Sequence, residues 1–254
     1  MIASLPMYDW PEIRKATDAW WKGLSHHLGI TAELDRGADY FAPWRRPDLV
    51  FSQTCGYPLT HEFKGLLKYV STPHYAVAGC DGASYSSFIL AREKLSPADL
   101  RGAVATVNNP DSMSGMLALQ LVFAPFAKAG KFFSRAIWSG GHVNSMAAVR
   151  EGRADVCAVD AVCVALARRY RPDYLAGLVE IARSPSVPAL PFVTRSGDMD
   201  GMRQALVATF TDESLFEVRD QLFLSGQSVL RPNAYERITD LERDMQKAGG
   251  MELL

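Results

Sequence analysis

Two short polar turns hold the residue types in this chain that can do chemistry. The first is Val107-Asn108-Asn109-Pro110-Asp111-Ser112-Met113-Ser114-Gly115, and the second is Ser139-Gly140-Gly141-His142. Each follows a β-rich run and precedes an apolar stretch at helical spacing. In the first turn Pro110 ends the strand, and the Asn and Asp residues favour a tight bend. Ser112 or Asp111 can then cap a helix whose apolar face is Met116, Leu117, Leu119, Leu121 and Val122. The first backbone N–H groups of a helix lack internal partners, and the helix dipole favours negative charge there. Ser112 and Ser114 add hydroxyl donors at the same point, and Gly115 lets a ligand approach the backbone. The chemistry implied is recognition of an anion. Taken alone, the first turn reads as an ordinary capped helix; the second turn, with His142 beside two glycines, moves the reading towards a ligand site. As imidazolium, His142 would add both charge and a donor, so anion affinity would fall as pH rises through its pKa.

The remaining candidates have bland alternatives of similar weight. Asp160 can cap the helix that starts at Ala161, or accept a hydrogen bond from a ligand amine or a protonated oxygen. Tyr8 and the turn Thr54-Cys55-Gly56-Tyr57 follow early strands and would line a cleft. His26 and His27 end a helix and read as solvated rather than metal-binding. An enzyme would need a buried acid or base, for which only Asp160, His142 and Cys55 qualify. No Ser-His-Asp order, metal cluster, phosphate-binding lysine loop or dinucleotide fingerprint supports catalysis, so binding without catalysis is favoured. No cofactor and no metal are expected.

The elements that would position these residues alternate between strand and helix. Ile2 to Leu5 is a first strand, and Ile13, Ala16, Trp20, Leu24 and Leu28 keep helical spacing up to Gly29. Further strands are expected at Ile30 to Leu34, Asp48 to Gln53, Lys68 to Ala78 and Tyr85 to Ala91, then Ala103 to Val107 and Ser134 to Trp138. Asp155 to Asp160 is apolar without alternation, as in a parallel strand covered on both faces. Leu178 to Ala182 and Phe192 to Arg195 complete the strands. Met199 to Phe210, Ser214 to Leu224 and Asn233 to Gln246 read as helices with charged outer faces. This order predicts an α/β fold with largely parallel sheets. The loop Gly79 to Ala83 and the proline-rich Ser184 to Pro191 look like two crossings between lobes. The expected division is 1–81 plus 185–254 for one lobe and 82–184 for an inserted one, with a ligand cleft between them.

Composition bounds the partners. The 254 residues are 48% hydrophobic and 22% charged with a formal net charge of −1, which gives no reason to expect nucleic acid or an anionic membrane. Cys55, Cys80, Cys157 and Cys163 show no paired spacing and read as free thiols. No apolar run reaches membrane-spanning length. Met1 to Tyr8 reads as strand and loop, with no signal-peptide pattern. That reading leaves a cytoplasmic location and a mature exported start as alternatives.

The run Leu100 to Ala105, followed by Asn109-Pro110-Asp111-Ser112-Met113-Ser114-Gly115, resembles the phosphate/phosphonate-type substrate-binding proteins of ABC transporters, of the type II periplasmic-binding-protein fold. Gly140-Gly141-His142 and the block Ala147 to Asp160 are similar to the same family's next motif, and Pro185 to Pro188 before Phe192-Val193 to its return crossing. The resemblance implies a two-lobed α/β protein whose lobes are mostly parallel sheets flanked by helices, closing on a phosphonate, phosphate ester or related oxyanion. It places anion-binding roles on Ser112, Met113, Ser114, Gly115 and His142. Asp160, Tyr8, Thr54, Cys55 and Tyr57 would line the remainder. Met113 stands where the family pattern has threonine, which removes a hydroxyl donor and sets a thioether near the anion. The implied setting is periplasmic, with an ABC permease as partner and a monomer or weak dimer as the assembly. The alternatives are an enzyme on the same fold acting on a small carboxylate or phosphate metabolite, or a ligand-sensing module.

Overall fold

A computed structural model describes residues 1–195 and 197–253. In chain order the elements are β1 (Ile2–Ser4), α1 (Arg14–His27), α2 (Phe41–Arg45), β2 (Leu49–Gln53), α3 (Gly56–Thr60), β3 (Lys68–Tyr75), β4 (Cys80–Asp81), β5 (Ser84–Tyr85) and β6 (Phe88–Ala91). The middle of the chain adds β7 (Val104–Val107), α4 (Ala118–Phe123), β8 (Arg135–Trp138), α5 (His142–Arg150), β9 (Val156–Val159), α6 (Ala161–Tyr170), β10 (Val179–Arg183) and β11 (Val187–Pro188). The last part adds β12 (Phe192–Thr194), α7 (Met199–Thr211), α8 (Phe216–Gln221), β13 (Leu224–Ser228) and α9 (Glu236–Lys247).

The chain forms two compact units. Unit 1 comprises Met1–Ala76, Cys80–Ser84 and Pro188–Ala234, and unit 2 comprises Val77–Gly79, Tyr85–Val187 and Tyr235–Leu254. The C-terminal segment therefore belongs to unit 2, not to the unit that holds the N terminus as expected. It is tied there by Gln120, which donates to the Met251 carbonyl at 2.7 Å, and by the Glu252 N–H to the Gly130 carbonyl at 2.9 Å.

Unit 1 is built on a five-stranded sheet of order β1-β2-β12-β3-β13, and unit 2 on one of order β10-β6-β9-β7-β8. Both are mixed rather than mostly parallel. In unit 1 only β1 and β2 pair in parallel, while β12 runs against β2 and β3 and β13 runs against β3. In unit 2, β7 pairs in parallel with β8 and β9, and β6 runs against β9 and β10. The reason is connectivity. Parallel neighbours need a helical crossover, which α1, α4 and α5 provide. β6 and β12 are each the first strand of a five-stranded sheet that the chain reaches after passing between units, and each runs against both of its neighbours. A further three-stranded sheet, β11-β5-β4, forms along the crossing segments.

The core of unit 1 is aromatic. Trp20 stacks on Phe192 at 5.4 Å, Trp21 stacks on Phe51 at 5.9 Å, and Trp44 packs edge-on to Phe63 at 5.3 Å. The core of unit 2 is aliphatic: Val156, Cys157, Ala158 and Val159 of β9 are fully buried, with Leu117, Leu119, Met146, Val149 and Leu166 from the covering helices. Two elements differ from expectation. Ile30 to Leu34 makes a single bridge, Leu34 to Ala3, and is held instead by the Trp21 Nε1–H donating to the Ala32 carbonyl at 2.7 Å. Leu224–Ser228, of which only Leu224 falls in an expected element, the end of a helix, is the strand β13 paired to β3. Cys157 and Cys163 are buried free thiols, and burial holds both far above the usual thiol range, Cys163 also through the charge of Asp160.

Candidate functional site

Five of the expected binding residues and Asp160 fall within unit 2, at the ends of β7, β8 and β9. β7 is buried from Ala105 to Val107, and its pairing with β8 sets Val107 beside Trp138. The two exit turns stay joined past the sheet. The Ser139 N–H donates to the Val107 carbonyl, and the Gly140 N–H donates to the Asn108 carbonyl, each at 2.8 Å. Gly140 has a φ of 78°, a left-handed bend that favours glycine. Gly141 is extended, and α5 begins at His142 with no side-chain cap, so its first-turn N–H groups are offered outward.

The helix after β7 begins with an unusual turn. Ser112 is its N-cap, and its Oγ accepts from the Gly115 N–H at 2.9 Å. The Ser112 carbonyl accepts from both Met116 N–H at 3.1 Å and Leu117 N–H at 2.9 Å. The second bond spans five residues, so Met113–Leu117 is a π-type turn that only becomes α-helical at Ala118. Such wide turns recur at functional sites because they re-aim the side chains of the first residues. Here the turn brings the Ser114 hydroxyl within 3.4 Å of Ser112 Oγ and 2.9 Å of His142 Nε2. The Ser114–His142 hydrogen bond thus links the starts of two helices that come from different strands.

His142 is neutral in this setting, which corrects the expectation of a resident imidazolium. Its Nδ1 is shut off from solvent although the residue as a whole keeps some surface. Burial pushes the pKa from 6.5 down to about 4, and an interaction with the Ala158 backbone offsets part of this. A folded pKa below the unfolded one means that the unfolded chain binds more protons between those values. The stability that neutral His142 contributes is therefore complete above about pH 6.5 and lost as pH falls through about 4. Urea midpoints measured from pH 7 to 4 are expected to fall more steeply for the wild type than for His142→Asn. Parallel curves would show that His142 is not buried neutral.

Asp160 is 1% exposed and caps α6, its Oδ1 accepting from the Val162 N–H at 2.7 Å and the Cys163 N–H at 3.4 Å. Met113 is 1% exposed, so its thioether is packed into the protein rather than presented to a ligand. Two residues that sequence reasoning treated only as turn formers prove to hold the site together. Ser139 Oγ bonds Ser145 Oγ at 2.7 Å and donates to the Gly141 carbonyl at 3.0 Å, and Asn108 ties the two turns. Neither role has a sequence signature, because each depends on the β7–β8 register.

The other expected residues lie in unit 1. Thr54 and Cys55 are buried, and Cys55 is the N-cap of α3. Tyr57 stacks on His61 with ring centroids 3.7 Å apart, and Tyr8 meets Tyr75 edge-on at 5.3 Å. Tyr75 OH accepts from Gln53 Nε2 at 2.8 Å, which fixes the strand end between them. No group of three metal-ligating side chains occurs among the described residues. No helix among them is long and apolar enough to cross a membrane.

Comparison with known proteins gives a consistent result. The family model described as "ABC transporter, phosphonate, periplasmic substrate-binding protein" matches residues 2–244. A binding protein component of an ABC phosphonate transporter from Pseudomonas aeruginosa is similar in structure, with a TM-score of 0.80 at 18% identity over 98% of this chain and 87% of that one. PhnD1 from Prochlorococcus marinus, solved in complex with methylphosphonate, gives 0.78 at 15% identity over 97% and 98%. XAC2383 from Xanthomonas citri, bound to ATP, gives 0.71 at 18% over 98% and 97%. No curated protein matches the chain.

Proposed function

The chain belongs to the family of periplasmic substrate-binding proteins of phosphonate ABC transporters, and from that premise we propose that it captures a small phosphonate, or a closely related phosphorus oxyanion, at the joined helix starts of unit 2. The family binds without catalysis, and it works with ABC permeases. The observation that carries the reading here is the 2.9 Å hydrogen bond between Ser114 Oγ and His142 Nε2. It joins a hydroxyl and an imidazole at the starts of two helices, and a desolvated oxyanion requires donors of that kind.

In the free protein the neutral imidazole and the Ser114 hydroxyl satisfy each other. An arriving oxyanion favours a proton on His142, because the charged ring then donates from Nε2 to Ser114 Oγ and the Ser114 hydroxyl turns its own hydrogen to the ligand. Ser112 keeps its capping role, and Gly115 leaves room at the turn. Asp160 holds α6 in place beside the site rather than serving as an acid or base, which favours a binder over an enzyme. Tyr8, Thr54, Cys55 and Tyr57 are proposed as ligand-binding residues of unit 1 by family resemblance alone. The proposed setting is the periplasm, where the loaded protein, as a monomer or weak dimer, would deliver its ligand to a permease.

The test is thermal unfolding of the whole chain against methylphosphonate, other alkylphosphonates, phosphate, sulfate, sulfonates and carboxylates. A ligand present at about a hundred times its Kd stabilises by roughly 2.7 kcal/mol, which is several degrees for a chain of this size. Shifts confined to phosphorus oxyanions are expected. A flat response across the panel would overturn the reading.

A further inference from the structure

We propose that Asn108 is itself a ligand-binding residue, its carboxamide nitrogen donating to the oxyanion held by Ser114 and His142; this rests on the phosphonate-binding reading above. Asn108 is 8% exposed, and its carboxamide oxygen Oδ1 is buried without a hydrogen-bond partner among the described residues. A buried acceptor without a partner costs about 1–3 kcal/mol, so such an atom in a folded protein calls for an explanation. The position of the carboxamide supplies one.

Its oxygen edge is pressed on Gly115. A Cβ at Gly115 would lie 1.7 Å from Asn108 Oδ1, 2.6 Å from Cγ and 3.3 Å from Nδ2. The oxygen therefore faces the Gly115 Cα, where a Cα–H can make a weak contact to it, while the opposite orientation would set amide hydrogens against Cα hydrogens. That fixes the nitrogen as the edge turned away from the helix backbone. The Asn108 carbonyl meanwhile holds Gly140 N–H, so the same residue stands between the two helix starts that the Ser114–His142 bond joins. With its oxygen on Gly115, its amide nitrogen is the edge left to donate to an oxyanion at that junction.

The donor count points the same way. A phosphonate has three oxygens, each of which must find donors once water is excluded. Met113, between the two serines, brings no side-chain donor. A carboxamide from the preceding loop supplies a neutral pair of N–H groups without adding a charge that would have to be buried when the site is empty.

The experiment is calorimetric titration of methylphosphonate into the whole chain and into Asn108→Ala and Asn108→Asp, with side-chain amide NMR of the wild type. Asn108→Ala is expected to bind roughly tenfold more weakly or worse. Asn108→Asp, nearly the same shape, is expected to bind at least another tenfold more weakly, because a carboxylate would then face the anion. The amide pair that is missing from the Asn108→Ala spectrum is expected to shift at saturation. Binding by both variants within twofold of wild type, or an unmoved amide pair, would overturn the proposal while leaving the phosphonate reading intact. If Asn108→Asp does not fold, Asn108→Ala and the amide pair decide. If the wild type binds no phosphorus oxyanion, the functional reading falls, and this inference with it.

Discussion

Replacing Ser114 and His142 together by alanine is expected to weaken methylphosphonate binding by roughly a hundredfold or more while leaving the fold in place. Ser114 donates to the anion and protonated His142 donates to Ser114, and hydrogen bonds that involve a charged group are worth about 1.5–3 kcal/mol. The two single changes should not add. Each leaves the other residue without its 2.9 Å partner, so their sum counts the Ser114–His142 contact twice. Ser114→Ala alone also removes the hydroxyl that must turn to the ligand. In the wild type, affinity is expected to fall as pH rises, by up to tenfold per pH unit, wherever binding draws a proton onto His142. Titrations from pH 5 to 8 in the wild type and in His142→Asn test this directly. A pH-independent Kd in the wild type would show that the anion is held with His142 neutral. An affinity for the double variant equal to wild type would remove the unit 2 site from consideration.

Gly115→Ala is the second change with a large expected effect. The added methyl would sit 1.7 Å from Asn108 Oδ1, and the Asn108 side chain is buried, so it cannot simply swing aside. Overpacking of this kind costs about 1–3 kcal/mol. The displaced carboxamide would also press on the turn that holds Gly140, so affinity should fall together with stability. The combination Gly115→Ala with Asn108→Gly makes room for the methyl and is expected to recover most of the lost urea midpoint. Affinity should stay low, because the Asn108 amide is then absent. Full recovery of affinity in the double variant would mean that Asn108 only fills space. No change of midpoint in Gly115→Ala would mean that the turn accommodates a side chain after all.

Much of this architecture was legible before any coordinates. The helical spacing of Ile13, Ala16, Trp20 and Leu24 gave α1, and the unbroken apolar run Val156 to Val159 gave β9, because both patterns record burial directly. The family resemblance in the two polar turns extends to a match over residues 2–244. Sheet direction was not legible. Propensity marks a strand but not its orientation, and the antiparallel entry of β6 and β12 follows from where the chain passes between units. β13 was missed because Leu-Ser-Gly-Gln-Ser has little strand preference of its own and is held by pairing with β3. The site was half visible. Ser112, Ser114 and His142 stand out by type and spacing, but the π-type turn, the neutral state of His142 and the exposed edge of Asn108 depend on contacts among residues far apart in sequence.

The tryptophans divide sharply between the units. Trp10, Trp20, Trp21 and Trp44 are all in unit 1 and at most 9% exposed, whereas Trp138, in unit 2, is 49% exposed. An indole already in water changes its emission little when the chain around it unfolds. Fluorescence-monitored denaturation of this protein is therefore a measurement of unit 1, while circular dichroism follows both units. Where the two curves separate, unit 1 and unit 2 melt independently, and a single Tm no longer describes the molecule. The same asymmetry gives unit 2 a private optical label: quenching by acrylamide reads Trp138, four residues before His142, and should lessen when a ligand occupies the adjoining turn.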